Sequence, residues 1–186
     1  SAMEDSGRDS NRFQFDRFIL TQLLVMALKG VPAFYLPALL ASENDIKSFS
    51  MTGQRRDLNR EKFKLDNLLS VLNNPESNAN KNLKYLRNAM NVRSNLKQFH
   101  PSSEMKCLSK GRSDIVVIKR GKGPESVFAI HNMTENKINY QLNDNDLPKI
   151  IDNDFNTQDF LTSTKYNWKN ISLDPFQVIW LSSLEK

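Results

Sequence analysis

Between Phe13 and Ala27 apolar side chains recur at spacings of three and four. Phe15, Phe18, Ile19, Leu23, Met26 and Ala27 form one stripe, which Leu20, Leu24 and Val25 broaden. The period predicts a helix with little polar surface. Asp9, Ser10 or Asn11 can cap its start, and Asp16 complements its N-terminal dipole. Gly30 stands where a left-handed terminator is wanted. Val31-Pro32 cannot prolong the helix, because proline lacks the amide hydrogen and disfavours the helical region for its predecessor. The chain must turn there. Ala33-Phe34-Tyr35-Leu36 is then a nearly continuous apolar run, the pattern of a short strand covered on both faces, as in a parallel sheet or barrel. At Ser42-Glu43-Asn44-Asp45 polarity rises, which predicts a polar loop running on to Arg55, Arg56 and Arg60.

Two more helices follow from the same periodicity. From Lys64 to Leu72 the stripe is Leu65, Leu68, Leu69 and Leu72, ended by Asn73-Asn74-Pro75. From about Asn78 to Gln98 the spacing runs through Leu83, Leu86, Met90, Arg93 and Lys97, with Tyr85, Ala89, Val92 and Leu96 completing the face, until Phe99-His100-Pro101 stops it. Beyond Glu104 the period becomes two. The segments 105–108, 115–120, 126–132, 137–142, 165–173 and 176–181 read as six strands of an antiparallel sheet or small sandwich. Gly111-Arg112-Ser113 and Gly121-Lys122-Gly123-Pro124 supply hairpin turns, and Asp174-Pro175 joins the last two strands. Residues 143–156 read as an Asn/Asp-rich loop with a short apolar piece at Ile150-Ile151.

Composition narrows the function classes. The chain has 186 residues and a net charge of +5, but its basic residues are scattered among 21 acids. A dedicated nucleic-acid surface is not expected, since no long basic block interleaves with aromatics. Cys107 is the single cysteine, so no intrachain disulfide can form, and a cytoplasmic location is the default expectation. The longest apolar segment, Phe18 to Leu28, falls short of the ~20 residues a bilayer span needs, so no membrane partner is expected. Ser1-Ala2-Met3 reads as a tag-cleavage scar, and residues 1–12 as a flexible lead-in.

One stretch carries a more specific signal. The run GVPAFYLPALLASEND followed by TGQRRDLNREKF resembles the last barrel strand and its loop in the sucrose phosphorylase group of glycoside hydrolase family 13, within the alpha-amylase superfamily. The likeness is close over Phe13 to Lys62. It continues more loosely to Trp168, Ile171, Leu173, Pro175, Phe176, Val178, Trp180 and Leu181, which resemble the closing hairpin of that superfamily's C-terminal β-domain. This implies an α+β fragment: the last helix-strand-helix portion of a (β/α)8 TIM barrel in residues 13–101, then an antiparallel all-β C-terminal domain in residues 102–186. The parent would be a glucosyl phosphorylase that transfers glucose from a glucoside to inorganic phosphate with retention. The alternatives are an alpha-glucosidase or amylase-type hydrolase, or a non-catalytic module that binds carbohydrate or protein.

Retaining transfer needs two carboxyl groups about 5 to 5.5 Å apart, and the family's motifs for them are absent here. Asp144, Asp146, Asp152 and Asp154 form pairs, but at spacings of two in an Asn-rich stretch they read as turn formers. The chain alone is therefore expected to be catalytically silent. What it does hold, by resemblance, is an edge of the active site. Arg56 matches an arginine near the acceptor or phosphate position, and a guanidinium offers a planar donor pair suited to phosphate oxygens. Asn44, Asp45, Asp57, Asn59 and Arg60 occupy the supporting positions, with Asp45 as an N-cap or loop anchor. Leu36-Pro37-Ala38, Glu43 and Arg55 depart from the family pattern on the acceptor side, which leaves the acceptor open.

His100, His131 and Cys107 make no metal constellation, and no cofactor motif is present. Cys107 reads as a small apolar strand residue, and both tryptophans as core. A barrel fragment cannot close on itself. Phe34, Tyr35 and the apolar face of the first helix are therefore expected to lie exposed and to promote self-association or rearranged packing.

Overall fold

The computed structural model describes residues 11–109, 111–142 and 156–182. The proposed caps Asp9 and Ser10, the aspartates 144, 146, 152 and 154 and the Ile150-Ile151 piece lie outside them. The chain divides into two compact units: Ser1–Thr21 with Ala33–Asn88, and Gln22–Pro32 with Ala89–Lys186.

The first predicted helix is present as α1, Gln14–Ala27. Its apolar face is covered, not open as a barrel fragment led one to expect: Phe18, Ile19, Leu20, Leu23, Met26 and Ala27 are all buried. The chain turns at Gly30, whose φ of 119° is open to glycine and strained for any other residue.

In the first unit the expected strand at Ala33–Leu36 is not formed. Tyr35 is extended, but residues 33–35 have no strand partner among the described residues, and Pro37 favours the first turn of a helix, so the chain enters α2, Leu36–Leu39. A strand must hand its amides to a neighbour. None is supplied here, and Tyr35 and Leu36 are each about half exposed. One core cluster is Phe18 and Ala41, with Phe15 and Ala38 against them, and Leu40, Ala79 and Leu86 are buried as well. The predicted polar loop contains a helix, α3, Ile46–Thr52, and a 3-10 turn, Arg55–Asn59. Both later helices form, as α4, Leu65–Asn73, and α5, Asn78–Asn95. The α4 carbonyls at its C-terminal end are satisfied by side chains: the Ser77 hydroxyl donates to Val71 at 2.6 Å and Asn80 Nδ2 to Leu72 at 2.6 Å. No residue of α4 is buried, and Leu65 and Leu69 are 67% and 48% exposed.

In the second unit the change of period to two is realised as antiparallel pairing. Strands β1 (Met105–Cys107), β2 (Ile115–Arg120), β3 (Val127–Asn132) and β8 (Val178–Ser182) form a sheet in the order β1-β2-β3-β8. Two ribbons accompany it, β4 (Ile138–Tyr140) with β7 (Ile171–Leu173), and β5 (Asn156–Gln158) with β6 (Lys165–Asn167). Two sequence expectations are corrected here. The run 165–173 is broken into β6 and β7 by a tight turn, marked by the Asn170 amide donating to the Asn167 carbonyl at 3.1 Å. The last two strands do not form a closing hairpin, because β7 pairs with β4 and β8 with β3. Strand β5 was not foreseen.

All six residues of β3 are buried. One face of the sheet contributes Ile115, Val117, Phe128, Ile130, Ile179 and Leu181 to a core closed by Tyr140, Leu142, Trp168, Ile171 and Leu173. The other face carries Trp180, whose ring lies 4.6 Å from that of Phe99. Both tryptophans are thus core residues. Cys107, expected to be packed, is exposed at the edge strand.

Candidate functional site

The six residues singled out from the sequence fall in and around α3 and the following 3-10 turn. Asp45 is the N-cap of α3: its carboxylate accepts the Ser48 amide at 2.8 Å and the Ser48 hydroxyl at 2.5 Å. The Ser48 hydroxyl, then its amide, hold the Asp45 carboxyl below its ordinary pKa. The Asp45 amide donates to the Leu58 carbonyl at 2.7 Å, and the Asn44 carbonyl accepts the Ile46 amide at 2.9 Å. The helix ends at Gly53, φ 67°, whose amide returns to Phe49. Thr52 then ties the two elements together, its hydroxyl donating to Asp57 Oδ2 at 2.6 Å. The Asp45–Leu58 bond thus joins the start of α3 to the following 3-10 turn.

Arg56 stands on the 3-10 turn with its side chain 65% exposed, and its Nε lies 4.0 Å from Asp57 Oδ1. At that distance and exposure the pair contributes little to stability and leaves the guanidinium fork open to solvent. Asn59 is exposed on the same turn, and Arg60 follows it as C-cap, its amide donating to the Asp57 carbonyl at 3.4 Å. Asn44, Asp45 and Asp57 are therefore brought into one hydrogen-bonded module, with Arg56 beside Asp57 on its 3-10 turn.

A cavity of about 310 Å³ in the first unit is lined by Leu40, Ser42, Glu61, Lys62, Phe63, Lys64, Asn67, Leu68, Val71 and Ala79. None of the six site residues lines it, although Glu61 in its wall directly follows Arg60. Among the described residues no group of three or more His, Cys, Asp or Glu is placed to hold a metal ion. No helix among them is long and apolar enough to cross a membrane.

Several polar residues were missed by sequence reading. Asn82 is buried, and its Nδ2 donates to the carbonyls of Ala38 and Leu39 at 2.8 and 2.7 Å. Asp159, also buried, accepts the amides of Leu161, Thr162 and Trp180 and the Thr162 hydroxyl. Its burial pushes the carboxyl pKa up against those bonds. Arg93 and Arg120 donate to backbone carbonyls around the end of α1. Periodicity gave no sign of these roles, although it placed Arg93 on the helical spacing of α5, because Asn82, Arg93 and Arg120 reach carbonyls far away in sequence and Asp159 reaches the Trp180 amide.

No family model matches the chain. Over 119 residues it is 32% identical to glucosylglycerate phosphorylase of Allomeiothermus silvanus, a match covering 64% of this chain and 21% of that protein. The chain resembles the C-terminal part of a sucrose phosphorylase-like enzyme of glycoside hydrolase family 13. Glucosylglycerate phosphorylase of Escherichia coli is 21% identical over 165 residues, covering 89% of this chain and 28% of that protein. This chain thus spans between a fifth and a third of these two relatives' length. Among solved structures, trehalose-6-phosphate hydrolase of Bacillus licheniformis superposes with a TM-score of 0.64 at 16% identity, covering 94% of this chain and 40% of that one. An alpha-amylase of Geobacillus thermoleovorans gives 0.63 at 18% identity, covering 90% and 33%. The mixed helix and strand architecture is therefore that of the C-terminal region of alpha-amylase-type enzymes.

Proposed function

We propose that this chain is the C-terminal part of a cytoplasmic retaining glucosyl phosphorylase, with residues 13–101 finishing a (β/α)8 barrel and residues 102–186 forming its β-domain. The observation that carries the reading is the 119-residue match to a glucosylglycerate phosphorylase. On this reading the substrates are a glucoside, glucosylglycerate first among them, and inorganic phosphate. The cleaving carboxylate pair comes from other parts of the enzyme, so the chain alone is silent. In the assembled barrel residues 33–36 gain strand neighbours and extend.

Arg56 meets the phosphate. Its exposed fork can take two oxygens at once. Asn44, Asp45, Asp57, Asn59 and Arg60 hold the loop, the N-cap at one end and the Thr52–Asp57 bond at the other limiting how far the turn can swing. A second reading, hydrolysis by an alpha-glucosidase or amylase-type parent, is left open by the departures at Leu36-Pro37-Ala38, Glu43 and Arg55. Self-association through the exposed apolar side chains of the first unit belongs to the same proposal.

The test is to incubate the natural full-length polypeptide, and this chain by itself, with glucosylglycerate or sucrose, with and without phosphate, and to measure glucose 1-phosphate and free glucose. Phosphate-dependent glucose 1-phosphate from glucosylglycerate, made only by the full-length protein, is expected. Glucose release without phosphate selects the hydrolase. No turnover of either glucoside leaves a binding module, and any turnover by this chain sinks the claim of silence. In an active full-length enzyme, Arg56→Ala is expected to raise KM for phosphate at least about tenfold, the loss of one charge-assisted bidentate contact.

A further inference from the structure

The cavity of about 310 Å³ belongs to the first unit alone, since every residue of its wall falls between positions 33 and 88. Its volume is at the lower end of the range of about 300–1,000 Å³ that ligand sites occupy, so it suits a small ligand. The wall divides by chemistry. Leu40 and Ala79 are buried in it, Phe63 and Leu68 are half-buried, and Val71 is 45% exposed. Polar atoms come from the half-buried Ser42 and from Glu61, Lys62, Lys64 and Asn67, all exposed. An apolar interior thus meets a charged rim.

The rim sets the charge of what fits. Lys62 and Lys64 flank Phe63, and among the described residues no carboxylate forms an ion pair with either ammonium group. Two lysines against Glu61 leave one net positive charge on the lining. A lysine stem lies along apolar surface while its head stays in water, so both heads can meet an anion at the mouth of an apolar cavity. A carboxylate on a short apolar body satisfies both parts of the wall: the body leaves water for the interior, and the single negative charge matches the rim. A neutral body of the same size leaves the lysines without a partner, and a doubly charged anion exceeds the charge available.

The place of the cavity in the chain adds a consequence. Ser42 precedes the module of residues 44–60 and Glu61 follows it, and both are in the wall. The cavity therefore touches both stems of that module, whose base is closed by the Asp45 amide donating to the Leu58 carbonyl at 2.7 Å. We propose that this cavity binds a small carboxylate with a short apolar body, and that the bound ligand braces the two stems. The proposal goes beyond the phosphorylase reading and holds whether or not the parent is a phosphorylase.

Octanoate is the probe, with octan-1-ol supplying the body without the charge and inorganic phosphate a charge without the body. Titrated into this chain, octanoate is expected to bind one equivalent, at least about tenfold more tightly than either control. Lys62→Met with Lys64→Met, both at exposed positions, should weaken octanoate about tenfold and leave octan-1-ol unaffected. Val71→Trp, at a half-exposed wall position, should weaken both at least about tenfold by filling the space. With octanoate at about ten times its Kd, exchange of the Asp45 amide should slow about tenfold, because parting the stems releases the ligand. Either control binding as tightly as octanoate, or no binding of octanoate, overturns the site. Octanoate binding that neither variant weakens puts the ligand elsewhere and overturns it too, while binding with unchanged Asp45 exchange overturns the bracing. The natural full-length polypeptide should bind octanoate with equal affinity. Loss of binding there would mean that the rest of the protein covers the cavity, and would overturn it as a ligand site.

Discussion

The two units solve the problem of a short chain differently. The second unit orders its backbone and buries its side chains by the same act, since each antiparallel pairing brings apolar faces from separate segments together around Phe128, Trp168 and Trp180. The first unit orders its backbone locally. Asp45 caps α3, Gly53 ends it, Ser77 and Asn80 close α4, and Asn82 closes α2, yet many of its large apolar side chains stay exposed. Of the eleven large exposed apolar side chains among the described residues, seven lie between Tyr35 and Val71 in the first unit, so this is where cover is lacking. Caps specify a conformation at small gain each, whereas burial supplies most of the stability.

The sharpest way to break that contrast is to empty the second core. Trp180 is fully buried, stacks on Phe99, and its amide is held by Asp159 at 2.7 Å. Trp180→Ala is expected to cost about 3–5 kcal/mol, as deletion of a buried ring does, and to abolish the cooperative denaturant transition of the second unit. A loss under ~1 kcal/mol would mean the β-sheet is not the stable partner in the comparison.

Second in size is a pH effect confined to the same unit. His131 is buried on β3 with Nδ1 at the Val116 carbonyl, and desolvation lowers its pKa from 6.5 to about 4. The folded chain keeps this ring neutral while the unfolded chain protonates it below 6.5. Stability present above pH 6.5 is therefore lost as pH falls towards 4, by about 3 kcal/mol over the window. Asp159 opposes it: its raised pKa lets the folded state take up a proton first, which favours folding as pH falls. Urea midpoints at pH 7 and pH 4.5 should differ in the wild type and much less in His131→Gln. Equal slopes in both proteins would remove His131 from the account.

What could be read from the sequence follows the same division of labour. Periodicity found α1, α4, α5 and most strands, because a buried face repeats within the element that carries it. It mistook α3 for loop, although Asp45 and Gly53 bracket that helix with a cap at each end; a seven-residue helix has too few turns to show a stripe. It made one strand of 165–173, since the turn at Asn167–Asn170 holds no proline or glycine. The residues for the candidate site were legible only through family resemblance, and the structure brings Asn44, Asp45, Arg56 and Asp57 onto one module. The roles of Asn82, Arg93, Arg120 and Asp159 were not legible, although the helical spacing picked out Arg93. A polar side chain that satisfies backbone groups as far as 93 residues away leaves no local signature for that bond.

In the first unit the expected effects are smaller and local. Asp45→Ala removes both acceptor bonds to Ser48 and should raise the opening equilibrium of α3 about fivefold, seen as faster exchange at the Ser48 and Phe49 amides. The β-sheet amides should not respond. A change that spread to β2 and β3 would show that α3 is not the independent local structure its caps suggest.

Smallest of all in stability should be the change at the open face of α4. Leu65 and Leu69 are 67% and 48% exposed, so Leu65→Ser with Leu69→Ser leaves little buried contact to lose, within about 0.5 kcal/mol for each site. Their effect belongs to association. If the uncovered apolar side chains of the first unit make copies of this chain adhere, the double variant should shift sedimentation towards monomer at concentrations where the wild type self-associates, with an unchanged urea midpoint. The same substitutions in the natural full-length protein separate two sources of cover. If the rest of the enzyme packs on α4, the double variant destabilises the full-length protein by well over the ~1 kcal/mol that exposed sites cost. If it does not, both proteins tolerate the change equally, and the contrast between the units is intrinsic to the chain.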